Sequence, residues 1–328
     1  MESVLSLATV SRNGAVLLGR NVAADGYARR LVRVVTHAHY DHILGLRRSL
    51  RASLYIVATP TTHRFLEVLG YAVPEEKRIE LRYGSSIEID GERITLLRAQ
   101  HIAGSSQVLV EGPNYRVGYT GDFKEGDTVP LRDLDVLVLD ATYGDPQQQR
   151  SWSDWKALER LICLIDKSLN HGPVWIYGYH GKLQEVMVRL REAGVWAPFY
   201  AEPVSVKLAR IAESFYGKRL GKIYEYAGGP LDESAIVFIH ASKRRSMIKL
   251  PGVHILLSGW EMREIVRRVS ERYYIVSYSD HATLREIISY LHRAKPRRIV
   301  IDGYRAKKPR ETATYLESKL GIPVTVAP

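Results

Sequence analysis

Three histidines and an aspartate fall within six residues in Thr36-His37-Ala38-His39-Tyr40-Asp41-His42. Imidazole nitrogens and carboxylate oxygens are ligands for zinc and similar divalent ions. On an extended segment His37 and His39 project to the same side, because side chains alternate with a period of two. Asp41 and His42 follow in a turn and can aim at a second point nearby. Polar residues in a surface loop can simply be solvated, but this density of ligand types points to metal chemistry. Four further ionisable residues stand in comparable places. His101 lies in Gln100-His101-Ile102-Ala103-Gly104-Ser105-Ser106, where small residues let backbone approach a ligand closely and Ser105 and Ser106 are candidate substrate contacts. Asp122 lies in Tyr119-Thr120-Gly121-Asp122-Phe123, and a carboxylate there could bridge two ions. Asp140 lies in Leu139-Asp140-Ala141-Thr142-Tyr143-Gly144, and His281 in Ser277-Tyr278-Ser279-Asp280-His281-Ala282. Taken singly, an aspartate at a strand end is more often a turn or cap residue. Together these residues sit just past strand ends, where loops from one sheet edge converge into a site.

The elements that must position them can be read from the hydrophobic pattern. Leu31–Val35 reads as a short buried strand leading into the histidines, and Ile43, Leu44 and Leu46 begin a helix after them. Gly14–Gly19, Leu54–Ala58, Ser86–Ile89, Arg93–Leu97, Gln107–Glu111, Tyr115–Tyr119 and Asp135–Leu139 read as strands, and Thr61–Leu69 as a helix. Past residue 150 the texture changes. Trp155, Leu158, Ile162, Ile165 and Leu169 repeat at helical spacing, as do Leu183, Val186, Met187 and Leu190. Strands at Pro173–Tyr177 and Ala235–Ile239 alternate with them, which predicts a smaller α/β domain inserted over 148–255 between a first part, 1–147, and a closing part, 256–328. Met262, Ile265, Val266 and Val269 fit a helical stripe in the closing part.

Composition narrows the class. The 328 residues are 45% apolar, enough to bury a sizeable core. Apolar runs such as Ala235–Ile239 are too short to span a bilayer, and Met1-Glu2-Ser3-Val4 does not open a secretory signal. The single cysteine, Cys163, excludes an internal disulfide framework; its expected place is helix core packing, and a reducing cytoplasmic setting fits. No membrane partner is expected. The net charge of +11 favours an anionic partner, nucleic acid first. Twenty tyrosines offer faces for base stacking as well as core material. Gly181-Lys182 opens a helix whose amides and lysine could hold a terminal phosphate, and Lys243-Arg244-Arg245 is another candidate phosphate contact. His63, His171, His240, His254 and His292 have no motif around them and read as structural.

The 37–42 segment resembles the HxHxDH signature of the metallo-β-lactamase superfamily. His101 in HxxGS resembles the third ligand motif, and Asp122 in TGDF the bridging aspartate. Asp140 in DATYG and His281 in YSDHA resemble motifs A and B of the β-CASP nuclease branch, which carries an inserted domain between them. The resemblance implies an αββα sandwich with a smaller inserted α/β (β-CASP) domain. It also implies zinc chemistry: His37, His39, His101 and Asp122 holding one ion, and Asp41, His42 and the shared Asp122 a second. His281 would then protonate the leaving oxygen, with Asp140 fixing its tautomer and Asp41 counted among the catalytic groups. One departure concerns the second ion. The messenger-RNA 3′-end-processing branch has a ligand histidine roughly twenty-two residues after motif B, where this chain has Gly303. The expectation is therefore one or two ions, the second weakly held or Mn2+ or Mg2+, unless Asp302 substitutes. The crosslink-repair and Artemis group lacks that histidine too, and opens with an arrangement that Asp25-Gly26-Tyr27…Thr36-His37 resembles; the bacterial DNA-ligase-associated exonucleases are also similar. The expected activity is a metal-dependent DNA exonuclease acting from the 5′ end in repair. A ribonuclease of RNA processing or mRNA 3′-end cleavage is the alternative, and a catalytically silent nucleic-acid-binding scaffold comes behind both. Oligomeric state, mode of cleavage and native metal are left open by the sequence.

Overall fold

The computed structural model describes residues 7–328, so the reading of Met1-Glu2-Ser3-Val4 lies outside the described residues. The chain forms two compact units. One contains the residues up to Gln149 together with His281–Pro328; the other is Arg150–Asp280.

The first unit is the expected α/β sandwich. Its first sheet runs β1 (Ala8–Val10), β2 (Val16–Leu18), β3 (Val22–Ala24), β4 (Val32–Val34), β5 (Tyr55–Ala58) and β6 (Arg78–Glu80), in that spatial order. Strands β1 to β3 pair antiparallel, as short hairpins must, and β3 to β6 pair parallel. The second sheet takes β7 (Ser86–Ile89), β8 (Glu92–Arg98), β9 (Ser106–Gly112), β10 (Tyr115–Tyr119) and β11 (Val136–Leu139), and is completed from the far end of the chain by β19 (Ile299–Asp302) and β20 (Val324–Ala327). Alternation along these strands decides which faces meet. Val32, Val34, Val57, Ile94, Leu96, Val108, Val110, Val136 and Val138 share one buried cluster between the sheets. Leu109, Leu137, Leu139 and Ile301 turn to the outer face, where Ile287, Tyr290, Leu291 and Leu316 of two late helices, Leu284–Ala294 and Pro309–Leu320, cover them. Each such fully buried aliphatic contributes about 1.5–3 kcal/mol relative to exposure, so the two apolar layers fix the strand ends that carry the site.

The second unit holds β12 (Val174–Gly178), β13 (Phe199–Ala201), β14 (Ile223–Glu225), β15 (Ile236–His240), β16 (Val253–Ser258), β17 (Val266–Arg268) and β18 (Tyr273–Ser277) in one sheet. The order is β14-β13-β15-β12-β16-β18-β17, parallel except for edge strand β17. The sequence places the end of the insert at 255, but β16 and β18 continue this sheet, so the unit runs to Asp280. The helical stripe expected at Met262–Val269 is not a helix: Val266–Arg268 pairs antiparallel with Tyr274–Val276, and sheet pairing overrides a spacing that fits both. Cys163 is exposed, on the side of its helix away from Leu158, Leu161 and Ile165, which are buried. Trp155 is also exposed. His254 is structural as expected, bonded to Tyr177 and to the Leu250 carbonyl.

Within the first unit the chain leaves after Gln149 and returns at His281. The Gln149 Oε1 accepts from the Leu284 amide at 3.2 Å, and Tyr143 forms a parallel bridge with Thr283. Among the described residues no helix is long and apolar enough to cross a membrane.

Candidate metal centre

Strand β4 delivers Thr36 and His37 directly to the site. Beyond them Tyr40–His42 closes as a single 3-10 turn, and the helix Leu46–Ala52 starts only after Gly45. Gly45 has φ +70°, and a Cβ there would meet the Cβ of Tyr27 at 2.7 Å, so this is a position only glycine fills without strain. A buried carboxylate organises the turn from below. Asp25 Oδ1 accepts from the Thr36 amide at 2.8 Å, and Oδ2 accepts from Thr36 Oγ1 at 2.5 Å and meets His42 Nδ1 at 2.8 Å. His42 therefore presents Nε2 inward. Arg33, the residue of β4 that alternation turns away from the core, donates from Nη2 to the His42 carbonyl at 2.8 Å. Burial pushes its guanidinium down to about 10, against the pull of Asp25. Asp25→Ala leaves the Thr36 amide, Thr36 Oγ1 and His42 Nδ1 without their acceptor and removes the buried negative charge that acts most strongly on Arg33. It is expected to destabilise the first unit by about 3 kcal/mol or more, read by urea denaturation; a loss under about 1 kcal/mol would show that the turn holds itself.

Opposite, the loop after β8 carries His101, and the one after β10 carries Asp122. The Gly104 carbonyl accepts from Thr59 and Thr62 at 2.7 and 3.0 Å, which pins the His101 loop to a neighbouring helix. The structure brings His37, His39, His101 and Asp122 together, with one ligand atom from each within 4.8 Å of the others. His39 Nδ1 lies 3.1 Å from His37 Nε2 and 3.0 Å from His101 Nε2. Asp122 Oδ2 lies 3.1 Å from His42 Nε2, 3.5 Å from His37 Nε2 and 3.6 Å from His101 Nε2. Burial pushes the His37 imidazole well down, and His42 and His101 add to it, so it is neutral, the form that ligates. Burial works against the Asp122 charge, but His42 and His281 beside it hold its carboxyl well below the usual range. Two buried atoms at this point, Asp122 Oδ1 and His42 Nε2, have no hydrogen-bond partner. Buried polar atoms are seldom left so, and a convergent carboxylate and imidazole cluster with orphaned acceptors fits a divalent cation.

Asp140 and His281 meet at the rim. His281 Nδ1 is 3.1 Å from Asp140 Oδ2, and its Nε2 faces Asp122 Oδ2 at 3.7 Å. Thr142 donates to Asp140 Oδ1 from its amide at 2.9 Å and its hydroxyl at 2.7 Å, and the Asp140 amide is held by Thr120 Oγ1. The carboxylate is thus fixed before it orients the imidazole.

Comparison with known proteins gives the family. The family model of the β-lactamase superfamily domain matches residues 30–167. The uncharacterized protein in the lig 3′ region of Acidianus ambivalens is 43% identical over 125 residues, 37% of this chain and 88% of that protein. The chain belongs to the metallo-β-lactamase superfamily. Within the superfamily it is similar to nucleases of the β-CASP branch. The 5′ exonuclease Apollo of Gallus gallus is 26% identical over 300 residues, covering 87% of this chain. The RNase aCSPSF2 of Saccharolobus solfataricus is 27% identical over 214 residues, covering 56%. The chain spans 62% and 42% of the lengths of these two nucleases.

Several of the sequence expectations need correction. Ser105 and Ser106 do not line the site: both are buried, Ser105 Oγ accepting from the Ile102 amide and Ser106 Oγ donating to the Thr36 carbonyl. They shape the loop that holds His101. Lys182 is not an open phosphate contact, because its Nζ is buried and paired with Asp280 Oδ1 at 3.0 Å. In the basic triplet, Lys243 pairs with Glu202 and Arg244 donates to Tyr273. Asp302 does not replace the missing histidine. Its Oδ1 accepts from the Tyr304 amide at 3.1 Å and its Oδ2 from Arg305 at 2.6 Å. Asp41 lies 3.3 Å from His42 Nε2, yet its side chain is half exposed and belongs to none of the metal-sized clusters among the described residues. Sequence reasoning missed Arg33 and Arg305. The first has a signal, a lone charge inside Leu31-Val32-Arg33-Val34-Val35; the second has none, because all its partners but Asp302 come from distant segments.

Proposed function

We propose that this chain is a zinc-dependent nuclease that hydrolyses phosphodiester bonds, with DNA preferred over RNA. The observation that carries the reading is the pair of orphaned buried atoms, Asp122 Oδ1 and His42 Nε2, facing three further imidazoles with a carboxylate-oriented histidine at the rim. His37, His39, His101 and Asp122 would hold the ion. The chemistry a divalent ion supplies in such a site is Lewis-acid stabilisation of phosphoryl oxygens and a lowered pKa for water. The chain's own residues do the rest. Asp140 accepts from Nδ1 of His281, so that in the doubly protonated ring the second proton, the one for the leaving oxygen, is on Nε2, the atom turned to Asp122; its loss leaves the neutral ring protonated on Nδ1. Asp25 fixes the His42 ring, and Thr142 and Thr120 fix Asp140. The excess of basic residues favours a polyanionic substrate.

One feature favours DNA, Gly303 at the position of the RNA-processing histidine, and the match to a 5′ exonuclease along 87% of the chain supports action from a 5′ end. The match to an RNase supports the second reading, an RNA-processing enzyme. The test is cleavage of matched, end-labelled single-stranded DNA and RNA, each with a 5′-phosphate, in zinc or manganese and in chelator. DNA shortened stepwise from its 5′ end, RNA spared and both intact in chelator is the expected result. Preferred RNA cleavage would establish the second reading. Neither substrate cut by folded, metal-loaded protein would overturn both.

A further inference from the structure

Arg305 is a buried cation set beside the metal-binding turn, and no sequence motif announces it. Its side chain is 5% exposed. Nη1 donates to Asp302 Oδ2 at 2.6 Å and to the Gly14 carbonyl at 3.1 Å. Nη2 donates to the carbonyls of Asp25 and Asp41 at 3.0 and 3.2 Å. Nε stands 3.7 Å from the carboxylate of Asp41 itself. The guanidinium is held from four separate segments and cannot swing away without leaving those acceptors, and its own charge, buried and unsatisfied.

Of the groups that could receive a second metal ion, His42 offers Nε2 alone: its Nδ1 is held by Asp25, and Nε2, which makes no hydrogen bond, lies 3.1 Å from Asp122 Oδ2 and 3.3 Å from Asp41 Oδ2. Both carboxylate oxygens of Asp302 are taken. Position 303 cannot supply a histidine: a Cβ on Gly303 would meet Val326 Cγ1 at 2.8 Å and the Ala327 carbonyl at 3.1 Å. Asp41, the remaining ligand, has Oδ2 shared between His42 Nε2 at 3.3 Å and the fixed positive charge at 3.7 Å.

We infer that the guanidinium of Arg305 takes the part of a second cation at this centre, so that the chain holds one divalent ion tightly, on His37, His39, His101 and Asp122, and resists a second. A permanent positive charge compensates Asp41 and Asp302 without exchange, and it repels a further cation through a partly desolvated interior. This rests on the metal-centre reading above but not on the nuclease activity.

The experiment counts ions. Chelator-stripped protein is titrated with zinc, and separately with manganese, by calorimetry, with elemental analysis after desalting. The wild type is expected to retain one ion per chain, with any second bound at least about a hundredfold more weakly. Arg305→Met is expected to keep the first ion and bind a second on the order of tenfold or more tightly than the wild type does. Arg305→Lys, which keeps the charge, is expected to stay at one. Two ions of similar affinity in the wild type, or an unchanged second affinity in folded Arg305→Met, would overturn the inference. If Arg305→Met fails to fold, Asp41→Asn decides: the tight ion retained at unchanged affinity supports it, and an ion lost overturns it. These counts stand whether or not DNA or RNA is cleaved.

Discussion

Asp122→Ala protein is expected to come through purification without its metal ion and to cleave nucleic acid at least about a thousandfold more slowly than the wild type. Asp122 is the one anion in the four-residue ligand cluster, and its Oδ2 is within 3.7 Å of His37, His42, His101 and His281. Removing it leaves imidazoles alone, ligands that bring no negative charge to offset the ion's. The change also costs stability: His42 and His281, which hold the Asp122 carboxyl well below the usual range, lose a buried anion, so apo Asp122→Ala should melt earlier than apo wild type. Elemental analysis, single-turnover cleavage and thermal melts of both apo proteins separate these effects. Metal retained at wild-type level would show that the histidines alone hold the ion, and the proposed role of Asp122 would fail.

His281→Ala is expected to slow cleavage on the order of a hundredfold or more with the metal content unchanged. The two variants thus part company on metal and agree on rate. His281 belongs at the rim, where Nδ1 is tied to Asp140 and Nε2 points inward. The loss should fall on kcat, with KM little changed, because the group acts on a proton in the transition state. Asp140→Asn should also slow the reaction, since an amide can accept or donate and no longer selects the tautomer. A substrate carrying a better leaving group than a sugar hydroxyl should restore much of the His281→Ala rate. If it does not, His281 is a positioning residue and not a proton donor.

The parts of this centre visible in the sequence are those that lie close together in the chain or end a patterned strand. His37, His39, Asp41 and His42 announce themselves by density, and His101, Asp122, Asp140 and His281 by following apolar runs. The sandwich strands were legible for the same reason: Val-rich alternation is a local property. What the sequence hid is relational. Ser105, Ser106 and Lys182 carry functional groups in suggestive contexts, but whether such a group faces a ligand or a backbone carbonyl depends on segments far away. Arg305 depends on Gly14, Asp25 and Asp41, more than 260 residues earlier. The insert boundary was misplaced because β16 and β18 are ordinary apolar strands, and nothing local says which sheet they join.

The bridge between Tyr143 and Thr283 and the Gln149–Leu284 hydrogen bond act as a clasp. They close a long excursion of the chain using contacts that belong wholly to the first unit. A closed loop loses little more entropy when it is lengthened, roughly 0.6 kcal/mol for each doubling. Asp140 and His281 are therefore insulated from the length of what lies between them. Insertions or deletions inside 150–280 can accumulate without disturbing the distance between the two residues to which the proposed proton step is assigned, which makes that stretch the part of the chain freest to be remodelled for a new substrate.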